Sequence, residues 1–257
     1  MALLTLLTDF GDEDYYVAAV KGTVLGLAPG TQIVDVSHDV PAGDVETGAF
    51  LLAAAVPWFP AGTVHLAVVD PGVGSARRIL AARTASACLV LPDNGLLTHL
   101  LLRSAIESVR SVERSDLFLP GPGQTFHGRD RFAPVAAWLL RGKSMEDLGP
   151  EIDDPVCLPM EPPRRENGHL SGQVVHIDRY GNLITDIPSE WLPEGECRAE
   201  VAGRQVARTA NHYAEIPEGE AAMIPGSLGT AELSLRGESL AGKWAVKRGA
   251  SVRITWG

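Results

Sequence analysis

Cysteine is scarce: Cys88, Cys157 and Cys197 are the only three in 257 residues. They are odd in number and widely spaced, with no CxxC pair. That excludes a disulfide framework and a zinc ribbon, and it reads as structural thiols in a reducing compartment. Long apolar runs are missing as well, since the stretch 49–56 is far shorter than a membrane span. The opening Met1-Ala2-Leu3-Leu4 has no basic segment and meets Asp9 early, so no secretory signal is expected and the cytoplasm is the expected location. Basic residues are in deficit, with 22 Lys and Arg against 32 Asp and Glu and a net charge of −10. Such a chain repels phosphate backbones and anionic lipid, which argues against nucleic-acid and membrane partners and leaves a cationic ligand welcome. No Walker A loop, GxSxG elbow, HExxH helix or GxGxxG strand-to-helix turn is present, so the commonest nucleotide, serine-hydrolase and zinc-protease signatures do not apply.

What is present alternates. Leu3–Thr8 reads as a buried strand, and Gln32–Ser37, 64–69, Ile79–Arg83 and 88–91 read as further short strands. Tyr16–Leu27, 44–56, 96–102 and 131–141 read as helices, with Asp44 as an N-cap and Pro57 closing the second. Strands interleaved with helices mean βαβ units and a mostly parallel sheet. The segment 151–168, with Pro155, Pro159, Pro162 and Pro163, reads as a linker. Beyond it, short strands at 172–177, 183–187, 198–201, 221–224, 231–235 and Ser251–Trp256 follow one another without an intervening helix, the pattern of a small barrel or sandwich. The expected fold is therefore α/β over residues 1–160, then an all-β barrel-like domain over 168–257.

In a parallel sheet, ligands sit beyond the carboxyl ends of the strands. Asp9, Asp70 and Asp93 each follow a predicted strand. In Thr8-Asp9-Phe10-Gly11 the carboxylate is placed to accept hydrogen bonds from ribose hydroxyls, or to cap its own loop. The Asp-Phe-Gly triplet is not a kinase signature, because no glycine-rich loop, strand lysine or His-Arg-Asp loop precedes it. Asp70-Pro71-Gly72-Val73-Gly74-Ser75-Ala76-Arg77-Arg78 brackets a tight glycine turn between an acid and an arginine. Pro92-Asp93-Asn94-Gly95 has turn composition. Phe126-His127-Gly128-Arg129-Asp130 sets a histidine before a helix. In the second half, 178–182 and Gly226-Ser227-Leu228-Gly229 read as β-turns. The set Asp9, Asp70, Asp93, His127 and Asp130 would also suit a divalent cation, which keeps a metal-dependent hydrolase in view.

Taken together, Leu7-Thr8-Asp9-Phe10-Gly11, the run from His65 to Gly74, Pro92-Asp93-Asn94-Gly95, Thr125-Phe126-His127-Gly128-Arg129-Asp130 and Ile177-Asp178-Arg179-Tyr180-Gly181-Asn182 resemble one family in order along nearly the whole chain. It is the S-adenosyl-L-methionine (SAM) hydrolases, also called SAM hydroxide adenosyltransferases, related to SAM-dependent fluorinase and chlorinase. The resemblance implies hydrolysis of SAM to adenosine and L-methionine without metal or cofactor. It further implies a homotrimer with sites between the N-terminal domain of one subunit and the C-terminal domain of the next. It assigns the catalytic set to Asp70, Arg77 and His127, with the arginine register good to one residue because Arg78 is adjacent. It assigns substrate contacts to Asp9 on the ribose, Phe126 along the nucleoside, Asp178 and Asn182 at the methionine amino group, and Ser227 near its carboxylate, with Asp93 and Asn94 in the same binding set. Leu228 stands where halogenases have an arginine, so the carboxylate's cationic partner is unassigned. Gly43 stands where they have a tryptophan, and their extra loop near 77–80 is absent; both departures favour a hydrolase. A halogenase and a non-catalytic nucleoside-binding module are the remaining alternatives. Which of Asp70 and His127 takes the proton of the attacking water is left open by the residues alone.

Overall fold

The computed structural model describes residues 2–120 and 125–256. The chain divides into two compact units, Met1–Leu158 and Pro159–Gly257.

In the first unit, six strands form a mixed sheet in the order β2-β1-β3-β5-β4-β6. They are β1 (Leu3–Thr8), β2 (Gln32–Ser37), β3 (Thr63–Val68), β4 (Ile79–Arg83), β5 (Ala87–Pro92) and β6 (Ser108–Ser111). β1, β2, β3 and β5 run parallel, and β4 pairs antiparallel with both neighbours. Helices α1 (Tyr16–Leu27) and α4 (Ala133–Leu140) supply residues to one core, while α2 (Val45–Ala55) and α3 (Thr98–Leu102) supply the other. The central strands divide accordingly. Leu4 and Leu6 of β1, with Val64, Leu66 and Val68 of β3, enter the first core; Leu7, Ala67 and Val69 enter the second. A strand buried on both faces needs apolar residues on both, which is why these segments read as unbroken hydrophobic runs. Asp44 caps α2 by accepting from the Thr47 N–H at 3.1 Å, a contact worth about 1 kcal/mol.

Chain order reverses between β1 and β3: β2 lies on one side, β5 on the other. That topological switch opens a crevice at the carboxyl ends of the two strands. Asp9 leaves β1 there and Asp70 leaves β3 there.

In the second unit, seven strands follow the order β11-β10-β14-β8-β9-β13-β12, with β7 (Arg164–Glu166) added to β8. They are β8 (His169–Ile177), β9 (Leu183–Pro188), β10 (Cys197–Val201), β11 (Arg204–Val206), β12 (Ala221–Pro225), β13 (Thr230–Leu235) and β14 (Ser251–Trp256). The segment after β11 returns to β12: Met223 donates to the Arg208 carbonyl at 2.9 Å and Ala210 to the Met223 carbonyl at 3.0 Å. The sheet thus curls nearly shut around one core that includes Leu170, Leu183, Leu233 and Ile254.

Several features differ from the sequence expectation, the short strands β6, β7 and β11 among them. A short helix α5 (Leu240–Trp244) interrupts the strands, capped by Ser239 accepting from Gly242. A π-helical turn, Gly128–Phe132, precedes α4 and displaces its start to Ala133. Much of the expected linker is built in, because buried acceptors claim its backbone: Val156 N–H donates to Asp93 and Leu158 N–H to Thr98.

Burial in β3 has a consequence for stability. His65 is fully buried, with Nδ1 2.7 Å from Thr5 Oγ1, and desolvation pushes its pKa down to about 4. His99 is pushed down to about 4 by burial and then by the Arg103 charge. The unfolded chain protonates both rings near 6.5, the folded chain only near 4. Stability from this source is therefore complete above pH 6.5 and is lost as the pH falls toward 4. The loss is on the order of 3 kcal/mol per ring at most. We expect the melting temperature to fall between about pH 7 and pH 4.5, and to fall less steeply in His65→Leu. Equal slopes in the two proteins would contradict it.

Candidate active site

The loop after β3 folds back on itself. Val73 donates to the Asp70 carbonyl at 3.1 Å and Ser75 to the Gly72 carbonyl at 3.0 Å, with Gly74 at φ +84°. This reversal returns Arg77 to Asp70. Arg77 Nε donates to Oδ1 at 2.8 Å and Nη2 donates to Oδ2, a bidentate fork. The side chains are only 9% and 4% exposed. Such a pair holds its geometry by charge-assisted bonds in a medium of low dielectric. The Arg77 guanidinium also lies 4.9 Å from the centre of the buried Phe132 ring, and that ring comes from the π-helical turn.

The same turn brings in His127, which is 2% exposed. Its Nδ1 lies 2.9 Å from Arg77 Nη2. A guanidinium only donates, so Nδ1 accepts, and the proton of the neutral ring then sits on Nε2. Nε2 is buried with no hydrogen-bond partner among the described residues. Burial lowers the pKa of His127 below its ordinary value; the charges of Arg131 and Arg77 lower it further, against Asp70 and Asp130. Asp70, Arg77 and His127 are therefore one connected cluster holding a neutral imidazole with an unused donor. The register of the arginine is also explicit, since Arg77 partners Asp70 and Arg78 partners Asp93.

Asp9 lies on the facing strand exit. Its Oδ2 accepts from Gly43 N–H at 2.8 Å. Gly43 has φ +73°, so a side chain at position 43 would be strained by the backbone conformation, although a Cβ there would meet Pro71 at an ordinary contact distance of 3.5 Å. Burial raises the Asp9 pKa, the Gly43 N–H opposes this, and the nearby Asp70 charge adds to it. A buried chain steadies the loop. His38 Nδ1 lies 2.8 Å from Thr8 Oγ1, and Gly11 N–H donates to the His38 carbonyl at 2.9 Å.

Phe126 belongs to an aromatic group with Phe10, Tyr15 and Tyr16, at centroid distances of 5.2–6.2 Å from Phe126. Arg129 stands 5.0 Å over the Phe126 ring. Tyr15 and Tyr16 join the site as a pair at the start of α1, where the sequence pattern points only to a helix.

Asp93 and Asn94 are occupied within the chain. Asp93 takes Arg78 Nε at 2.6 Å and Val156 N–H at 2.7 Å, while Asn94 Nδ2 donates to the Val69 carbonyl at 2.8 Å. In the second unit, Asp178 and Asn182 are brought together. Asp178 accepts from the backbone of Tyr180 and Asn182 and from Asn182 Nδ2 at 2.9 Å. They line a cleft of about 690 Å³ with Tyr180, Tyr213 and Ser239. Ser227 is exposed on the β12–β13 turn. That turn lies at the Pro188 end of β9, whereas the 178–182 turn lies at the Leu183 end.

Residues 4–149 match the domain described as the SAM hydroxide adenosyltransferase N-terminal domain, and residues 172–253 match its C-terminal domain. The chain belongs to the SAM hydroxide adenosyltransferase family. Membership extends over full-length relatives. An (R)-S-adenosyl-L-methionine hydrolase from Thermus thermophilus is 41% identical over 96% of this chain and 97% of its own. The hydrolase of the same name from Salinispora tropica is 39% identical over 99% and 98%. Proteins named fluorinase match less closely, at 26–29% identity. Among solved structures, an uncharacterized conserved protein from Thermotoga maritima superposes with a TM-score of 0.92 at 32% identity, covering 98% of this chain and all of that one. Within the family's N-terminal domain lie Asp9, Asp70, Arg77, Phe126 and His127; Asp178, Asn182 and Ser227 lie within its C-terminal domain.

Proposed function

We propose that this chain hydrolyses S-adenosyl-L-methionine to adenosine and L-methionine. The observation that carries the reading is the buried Asp70–Arg77–His127 cluster at the exit of β3, in a chain whose full-length relatives are named hydrolases of this substrate. Water attacks the ribose C5′ carbon, the carbon–sulfur bond breaks with its electron pair going to sulfur, and methionine leaves as a neutral thioether. The leaving group needs no acid. The nucleophile needs help, because it must lose a proton as the new bond forms. Asp70 receives that proton. His127 cannot do so at Nε2, which already carries one, and its Nδ1 is taken by Arg77. The Nε2–H instead donates to the water oxygen and aims its remaining lone pair at carbon. Arg77 fixes both partners and supplies the positive charge that favours hydroxide character.

Asp9 holds the ribose hydroxyls, and Phe126 borders the nucleoside. Asp178 and Asn182, which line one cleft, hold the methionine amino group. Because these residues divide between the two units, we propose a homotrimer in which neighbouring copies complete each other's sites, working in the cytoplasm. Among the described residues, no helix is long and apolar enough to cross a membrane.

Arg77 supplies the charge that a metal would otherwise provide, so activity after EDTA treatment should stay within about twofold of the untreated enzyme. Loss of activity restored by magnesium would favour a metal-dependent hydrolase. Adding chloride or fluoride with SAM should yield adenosine only; 5′-halo-5′-deoxyadenosine would identify a halogenase.

A further inference from the structure

Arg77 and Arg78 are adjacent yet face different surroundings. Arg77 is buried on Asp70 and His127. Arg78 points to Asp93 and to Asp154, with Nε 2.6 Å from Asp93 Oδ2, Nη1 2.7 Å from Asp154 Oδ1 and Nη2 2.8 Å from the Asp154 carbonyl. The two residues lead directly into β4, where successive side chains project to opposite sides and a slip of one residue exchanges them. A slip here would still offer Asp70 an arginine. Charge alone therefore does not choose between the two registers, and some other contact must.

Asp93 makes that contact twice. It is 6% exposed. Its carboxylate takes the Arg78 side chain, and its N–H donates to the Arg78 carbonyl at 3.1 Å, so both side chain and backbone of Arg78 are held by one residue. The β4–β5 ladder continues from this point with Ile79 opposite Pro92. The other carboxylate oxygen takes Val156 N–H at 2.7 Å. Leu158 N–H donates to Thr98 Oγ1 at 2.9 Å, which secures the segment carrying Asp154.

We propose that Asp93 is a positioning residue that locks the arginine register, directing Arg77 and not Arg78 at Asp70 and His127. Both Asp93 oxygens accept bonds within the chain, from Arg78 and from Val156, and it is these bonds that fix the register. The kinetic consequence rests on the hydrolase reading; the geometric consequence does not.

The test is Asp93→Asn in the full chain. We expect kcat for SAM hydrolysis to fall about tenfold or more, with KM for SAM and Kd for adenosine within about threefold of wild type. By ring-nitrogen NMR, the titration of His127 should move from its wild-type position, because the guanidinium donor at Nδ1 is displaced from its register whichever arginine then faces Asp70. If this variant fails to fold, Asp154→Ala removes an arm that is 71% exposed and should lower kcat by about two- to fivefold at constant KM. A tenfold rise in KM or in adenosine Kd at unchanged kcat would put Asp93 on the substrate and overturn the proposal. Wild-type kcat and an unmoved His127 titration in Asp93→Asn would overturn it equally, as would wild-type kcat in Asp154→Ala. Should the wild-type protein release no adenosine from SAM, the hydrolase reading fails, and the His127 titration alone then decides the register.

Discussion

Asp70→Asn will lower kcat for SAM hydrolysis by about 10²-fold or more while KM stays within a few-fold. The substitution keeps the shape of the side chain and one carbonyl oxygen. It removes the charge that accepts the water proton. General-base assistance contributes about 10²–10⁴-fold, and the lower end applies because in-line placement of water opposite sulfur survives. The change also leaves the Arg77 guanidinium without its fork partner in a site where the two side chains are 9% and 4% exposed, so stability should fall by about 3 kcal/mol or more. A melting curve run beside the kinetics separates the two effects. Turnover near the wild-type rate in a folded variant would remove Asp70 from the chemistry.

Arg77→Lys will cost about 10²-fold in kcat, although it keeps the positive charge. Lysine has one compact ammonium in place of a planar fork. It cannot donate to both Asp70 oxygens and to His127 Nδ1 together, as Arg77 does. Once the Nδ1 contact is lost, the ring is free to carry its proton on either nitrogen and the donor at Nε2 is no longer guaranteed. The acid limb of the kcat profile should also move. In the wild type, His127 is held neutral below its ordinary pKa by burial and by the Arg131 and Arg77 charges, so activity persists into mild acid. In the variant the limb should shift toward neutral pH, because the lysine ammonium no longer sits against Nδ1 as the guanidinium fork does. A lysine variant within about threefold of wild type would mean that charge suffices and the fork geometry does not matter.

Much of the first unit was legible because its signals were local. The apolar run Leu3–Thr8 ended at Asp9, the helical spacing ran over Tyr16–Leu27, and Asp44 marked the cap of α2. Other elements left little trace. β6, Ser-Val-Arg-Ser, is a strand because β4 offers it an unpaired edge, and no alternation of hydrophobicity announces it. The π-helical turn at Gly128–Phe132 exists because Phe132 must reach the core under Arg77, a tertiary demand invisible to spacing. The acids at the strand exits were legible as a group. What separated them was not: Asp9 and Asp70 lie at the switch between β1 and β3, whereas Asp93 is claimed by Arg78 and by the Val156 N–H. Those partners are 15 and 63 residues away, beyond any local pattern. The proton on His127 Nε2 likewise follows only once Arg77 is seen to donate to Nδ1.

The most direct test is to incubate the purified chain with SAM in oxygen-18-enriched water and weigh the products by mass spectrometry. Attack of an activated water at C5′ predicts adenosine carrying one heavy oxygen in its 5′-hydroxyl, together with methionine of natural mass. SAM left intact, or adenosine released without the label, would contradict the account.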